Sequence, residues 1–163
     1  MGWHISWLAV QGIDKAEVYR RIDATPTGEI GMMLDHPACG KLFSGGWTVV
    51  VFDDGLHPLV EDDEVARLSA GCSILACTLD ENTMSSTACL WKNGEQVWGV
   101  WNVNDDEEED DTPLTTHGTL PVEFDQLKAL AHDTLDIPME LARRLTPFRH
   151  DEGPDDFEFL DLP

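Results

Sequence analysis

Asn93-Gly94 stands between two runs rich in apolar and β-branched residues, Thr87–Trp91 and Gln96–Val103. Both central residues tolerate positive φ, which a two-residue type I′ turn demands, so a β-hairpin is expected here. Centring the turn on this pair sets Lys92 opposite Glu95, Trp91 opposite Gln96, Leu90 opposite Val97 and Cys89 opposite Trp98. One face then carries Ala88, Leu90, Val97, Trp101 and Val103, and the other Cys89, Trp91, Trp98 and Val100. Both faces are apolar, so helices cover the two of them or one is left for a partner. Aromatic residues in strands are more often packing than binding groups, which favours coverage.

After Val103 the chain changes abruptly to Asp105, Asp106, Glu107, Glu108, Glu109, Asp110 and Asp111. Seven consecutive like charges do not pack, and a solvated loop over 104–118 is expected. The acidity is general: the formal net charge is −22. It is also uneven, with net −1 over 1–52, −7 over 53–90 and −14 over 91–163. A field of this sign repels nucleic acid and anionic membranes and speeds association with a basic partner. It also serves solubility alone, a plain alternative of similar weight.

The length of 163 residues suits one domain with a core over 1–150, followed by an acidic tail at 151–163. No apolar run approaches the ~20 residues of a membrane helix. The N-terminus lacks a basic region and a cleavage site, so a cytoplasmic location is expected. Met1–Ser6 matches a crude myristoylation pattern, but Trp3 beside the glycine and the strand-like residues that follow argue against it.

From the start, Trp3–Val10 alternates as a strand, with Trp3, Ile5, Trp7 and Ala9 on one face. Asp14 caps a helix with Glu17 three residues on and Val18, Ile22 and Tyr19 on its buried stripe. Thr25–Gly28 reads as loop, Glu29–Leu34 as a short strand, and His36–Gly46 as mostly loop. Trp47–Phe52 is β-branched and almost wholly apolar, hence a central strand. Asp62 or Asp63 starts a helix through Leu68, where acids in the first turn suit the helix dipole. Ser73–Leu79 is another buried strand. Beyond the acidic run, Phe124, Leu127, Leu130, Ala131 and Leu135 recur at helical spacing, and Asp136 caps a further helix through Leu145. Phe157, Phe159, Leu160 and Leu162 are anchors for a docked tail or a final edge strand. The expected class is α+β, a mainly antiparallel twisted sheet of five to six strands with helices packed on it.

Three segments, Gly46–Val51, Leu68–Cys72 and Leu141–Asp151, resemble parts of a bacterial protein family that has no assigned activity. The shared residues are core and turn residues. The resemblance therefore implies no reaction and no site residues, and the 105–111 run lies outside it.

Motifs for chemistry are sparse. Gly71–Leu75 lacks the second glycine of a hydrolase elbow, and neither a P-loop nor G-x-G-x-x-G occurs. Cys39, Cys72, Cys77 and Cys89 match no zinc or redox spacing and read as buried thiols. The acidic run lacks the spaced ligands of a calcium loop, so neither metal nor cofactor is expected. His150-Asp151, and Asp53-Asp54 with His57, are the best acid–base constellations, though loop aspartates commonly just make turns.

Recognition of a basic protein surface remains. Carboxylates and rigid aromatics can imitate phosphates and bases, the logic of nuclease immunity proteins and of phage inhibitors of nucleic-acid-handling defence complexes. The expected function is a non-enzymatic inhibitor that occludes the nucleic-acid-binding surface of a basic partner. The candidate contact residues are the 105–111 run with Asp53, Asp54, Glu61, Asp62, Asp63, Asp155 and Asp156. The alternatives are a subunit docking through an apolar sheet face, or an enzyme using His150 or His57.

Overall fold

A computed structural model describes residues 2–103, 114–130, 133–153 and 155–163. The elements, in chain order, are β1 (His4–Gln11), α1 (Lys15–Arg21), β2 (Thr25–Gly31), β3 (Ala38–Leu42), β4 (Thr48–Phe52), α2 (Asp62–Leu68), β5 (Ser73–Asp80), β6 (Ser85–Lys92), β7 (Glu95–Asn102), β8 (Leu114–Gly118), α3 (Val122–Leu130), α4 (Asp136–Leu145) and β9 (Phe157–Asp161). The strands form one sheet in the order β2-β9-β3-β4-β1-β5-β6-β7-β8. Every pairing is antiparallel.

The α+β class with an antiparallel sheet holds, but the sheet has nine strands where five to six were expected. The additional strands lie where hydrophobic alternation is weakest. The segment 38–42 is a strand within the stretch expected to be loop: its small residues admit Tyr19, whose ring packs where a Cβ on Gly40 would stand. Thr25–Gly28, also expected to be loop, belongs to edge strand β2, whose exposed TPTGEIG has no buried face to leave a periodic signal. Leu114–Gly118, expected to be loop, forms the opposite edge strand, and the rest of the expected 104–118 loop lies outside the described residues. The tail does not supply an edge: β9 inserts between β2 and β3, with Phe157 and Leu160 buried.

Both faces of the sheet are covered. On one, Ile5, Trp7, Val51, Leu75, Cys77 and Val100 meet Phe124 and Leu127 of α3, Ile137 and Leu141 of α4, and Phe148. On the other, Leu8, Val50, Phe52, Ile74 and Trp91 meet Val18 and Tyr19 of α1 and Val65 and Leu68 of α2. The helices form for local reasons the sequence displays. Asp14 Oδ1 accepts from the Glu17 N–H at 2.8 Å at the start of α1. Pro138 falls in the first turn of α4, where its missing N–H costs little.

The hairpin turn is as expected, with Asn93 and Gly94 at positive φ and Lys92 opposite Glu95. The register beyond it is not. A bulge lies beyond Trp91, so Leu90 pairs with Trp98 and Cys89 with Gly99, and Val97 is 39% exposed. One extra residue reverses the facing of everything after it. Trp98 and Val100 therefore join Ala88 and Leu90 under α3 and α4, while Trp101 lies on the side of Cys89 and Trp91. The Trp101 ring covers Gly99, whose missing side chain leaves the space.

Candidate functional site

Antiparallel pairing sorts the turns between two ends of the sheet. His4 pairs with Asp80 and Ser6 with Phe52, which brings the exits of β4 and β5 to the entry of β1. Thr25 pairs with Asp161, Ser86 with Asn102 and Asn102 with Leu114, so these also lie at that end. The chain therefore gathers Asp53, Asp54, Asp80, Glu81 and Asp161 along one rim. The 105–111 run lies outside the described residues, but Asn102 and Leu114, which bracket it, are both on this rim.

The local chemistry of Asp53–His57 is structural. Asp54 Oδ1 accepts from the Leu56 N–H at 3.0 Å, and its carbonyl accepts from Ser6 Oγ at 2.7 Å. His57 stacks on Phe52 with ring centroids 4.0 Å apart, and its Nδ1 accepts from the Leu59 N–H at 3.1 Å, capping a short 3-10 turn. Burial lowers the His57 pKa against the pull of Asp54. With Nδ1 occupied by a cap, this imidazole serves the turn.

Few cations offset the acids. Every arginine is engaged by a carboxylate of the same chain: Arg20 and Arg21 by Glu17, Arg67 by Glu64, Arg143 and Arg144 by Glu140, and Arg149 by three acids. Lys15 pairs with Glu158 and Lys41 with Asp156. The basic side chains are thus largely neutralised internally, while Asp53, Asp54, Glu61, Asp62 and Asp63 are exposed and join no ion pair among the described residues.

The expected contact residues do not converge on one surface. Asp53 and Asp54 lie on the acidic rim. Glu61, Asp62 and Asp63 sit at the start of α2 on the α1/α2 side of the sheet. Asp155 and Asp156 enter β9 at the opposite end, level with Leu42 and Thr48, and Asp156 is paired with Lys41. Distance from the rim sets both of these apart, and Lys41 neutralises Asp156 as well.

A cleft that the sequence did not signal opens beside the rim on the α3/α4 side. Its volume is about 170 Å³, and Trp3, Glu81, Asp133, Asp136, Arg149, His150 and Asp151 supply its polar and aromatic walls. These groups come from four separate parts of the chain. Glu81 Oε2 accepts from the Trp3 N–H at 2.9 Å, holding the N-terminal segment to the β5–β6 turn. Asp136 is the first residue of α4 and not its cap; the side-chain bond just before the helix comes from Asp133, whose Oδ1 accepts from the Leu135 N–H at 2.9 Å. Arg149 donates from Nη2 to Asp136 at 2.5 Å, from Nη1 to Glu140 at 2.9 Å and from Nε to Asp151 at 2.8 Å. Burial alone would raise the Asp151 carboxyl, but the hydrogen bond and charge of Arg149 outweigh it and hold the group below its ordinary value.

His150 is 5% exposed and packs edge-on against Trp3, with ring centroids 5.0 Å apart. Its Nδ1 is buried and has no hydrogen-bond partner among the described residues. Burial lowers its pKa against the pull of Asp151, so the ring is neutral at pH 7. The described lining holds no serine, threonine, cysteine or lysine to act as a nucleophile beside His150. Among the described residues no three potential ligands converge on a metal position. Only the adjacency of His150 and Asp151 was visible in the sequence; Trp3, Glu81 and Asp133 arrive by tertiary folding.

No helix among the described residues is long and apolar enough to cross a membrane. No protein-family model, curated protein or solved structure matches this chain, so the resemblance of its three segments to a bacterial family rests on those residues alone.

Proposed function

We propose that this chain is a small acidic binding protein that inhibits a basic, nucleic-acid-processing partner by occupying the surface its nucleic acid would use. One observation carries the reading: the β4 and β5 exits and both brackets of the seven-acid run share one rim of the sheet, while every arginine is held in an internal ion pair. Carboxylates gathered along one rim share the sign of a phosphate backbone, and they attract basic surfaces through several kT of potential. With helices on both faces of the sheet, docking through a bare apolar sheet face loses its support.

The test begins with cross-linking and affinity capture, comparing the native chain with one in which Asp53, Asp54 and 105–111 are changed to Asn, Gln or Ser. A partner retained only by the native chain is then assayed for nucleic-acid binding with and without this protein. Competition with nucleic acid, and affinity falling steeply between low and high salt, are expected. A captured partner whose affinity ignores salt, or that binds nucleic acid and this protein together, would refute occlusion.

A further inference from the structure

We infer that Asn93-Gly94 is a self-modification site, at which the chain closes to a succinimide and reopens as an isoaspartyl link, and that the end of α2 holds it dormant in the folded protein. Of the four asparagines only Asn93 precedes a glycine. The others precede Thr83, Val103 and Asp105, and a side chain on that next residue hinders attack by its nitrogen. Gly94 carries no such obstacle, and both residues of the pair are exposed to water.

The reaction needs only water. The Gly94 nitrogen gives its proton to solvent and bonds to Asn93 Cγ, the Cγ–Nδ2 bond breaks, and Nδ2 takes a proton and leaves as ammonia. Water then opens the ring. Cleavage of the new bond to Cγ gives aspartate, and cleavage of the bond to the main-chain carbonyl carbon gives isoaspartate. The net change is one water gained and one ammonia lost, with no change of oxidation state.

The fold withholds the geometry this requires. With φ at 49° for Asn93 and 81° for Gly94 the turn is type I′, which points the Gly94 nitrogen away from Cγ. Ring closure demands rotation about the Asn93 Cα–C bond, and three hydrogen bonds to the residues after α2 oppose it. The Asn93 N–H donates to the Ser69 carbonyl at 3.0 Å, the Gly94 N–H donates to Ser69 Oγ at 2.8 Å, and Asn93 Oδ1 accepts from the Gly71 N–H at 2.8 Å. They fix the nucleophile, the backbone before it and the amide it would attack. Ser69 is fully buried, and its hydroxyl donates to the Ala66 carbonyl at 3.0 Å, which ties the clamp to α2 itself. The rate of closure follows the population that reaches the attacking geometry, so modification reads out how often the hairpin tip leaves α2. Isoaspartate then adds a methylene to a two-residue turn. The altered turn no longer matches the register that sets Lys92 opposite Glu95, which makes the release lasting.

The full chain is incubated at neutral pH, and aspartate and isoaspartate at Asn93 are quantified by peptide mapping with mass spectrometry. Modification should be at least tenfold faster in urea that unfolds the chain than in buffer. Ser69→Ala, which removes the acceptor of the Gly94 N–H, should raise the rate in the folded chain about fivefold, the effect of one lost hydrogen bond. Asn93→Gln, whose side chain is a methylene too long for the same ring, should gain no acid. Hydrogen exchange of the Gly94 amide provides a second measure on the native chain: below the unfolding transition, added urea should raise exchange and modification in proportion. No modification at Asn93 in the unfolded chain would overturn the site. Equal rates in folded and unfolded chains, a folded Ser69→Ala variant that reacts at the native rate, or modification that stays flat while Gly94 exchange rises would overturn the clamp.

Discussion

Replacing Arg149 with methionine tests whether the acids around the cleft are held in place by one cation. The side chain is 16% exposed and meets three carboxylates, whose own exposure is 48% for Asp136, 23% for Glu140 and 46% for Asp151. A hydrogen bond to a charged group contributes about 1.5–3 kcal/mol when desolvated, against ~0.2–1 kcal/mol for exposed pairs. Two of the three acceptors are close to half exposed, so their pairs belong near the lower figure and the Glu140 pair between the two. Methionine then costs about 2–3 kcal/mol, including the repulsion of three acids left without a counter-ion. A chain of this length loses roughly 3 °C in Tm per kcal/mol, which gives a fall of about 6–9 °C by calorimetry at low salt.

The salt and pH dependence make that prediction specific. Salt screens the repulsion among the stranded carboxylates, so the deficit should shrink as ionic strength rises. Asp151 is held below its ordinary pKa in the native chain. A depressed carboxyl contributes stability above its unfolded value of about 3.9, and that contribution is lost as pH falls through the folded value. The gap between native and variant should accordingly be full at neutral pH and close below about pH 4. Arg149→Lys keeps the charge but not the three-way geometry and should recover about half. A fall below 2 °C, or one indifferent to both salt and pH, would refute the assignment of Arg149 as the organising cation.

Three further outcomes are expected. His57 and His150 both have lowered pKa values from burial, so the unfolded chain binds protons first; stability should be flat above about pH 6.5 and decline as pH falls below it, measured by urea melts across pH 5–8. Burial pushes the Cys39 and Cys89 thiols up to about 12 and holds the Cys77 thiol well above its ordinary value, so a disulfide reagent at pH 8 should label these three quickly only after denaturation. Gly99→Ala places a Cβ into the Trp101 ring and should cost about 1–3 kcal/mol with a red-shifted tryptophan emission, whereas Val97→Thr at the exposed bulge should change stability by less than ~0.5 kcal/mol.

Several elements of the fold were legible because their signals are local. The Asp14 cap, the buried run of β4, the Asn93-Gly94 turn and the α4 pattern each depend on neighbours within a few residues. The strands that went unseen, β3 and β8 among them, are short and either composed of small residues or exposed. Nothing in their own residues repeats with period two strongly enough to mark them. The Val97 bulge was equally silent, because both registers of the hairpin place apolar residues on both faces. What separates them is which side of the sheet receives Trp98 and which receives Trp101, and the helices that cover those sides lie far away in sequence.

The same division applies to function. The sequence by itself determined the charge, the position of the seven-acid run, the scarcity of cations and the absence of common catalytic motifs, since all of these are properties of composition and spacing. Only the tertiary structure decided which acids share a rim, that Asp155 and Asp156 lie at the other end, and that Trp3, Glu81, Asp133 and His150 enclose one cleft. The physical reason is that strand register in an antiparallel sheet converts distant turns into neighbours. That register is set by the sum of many buried contacts, and no single segment carries it.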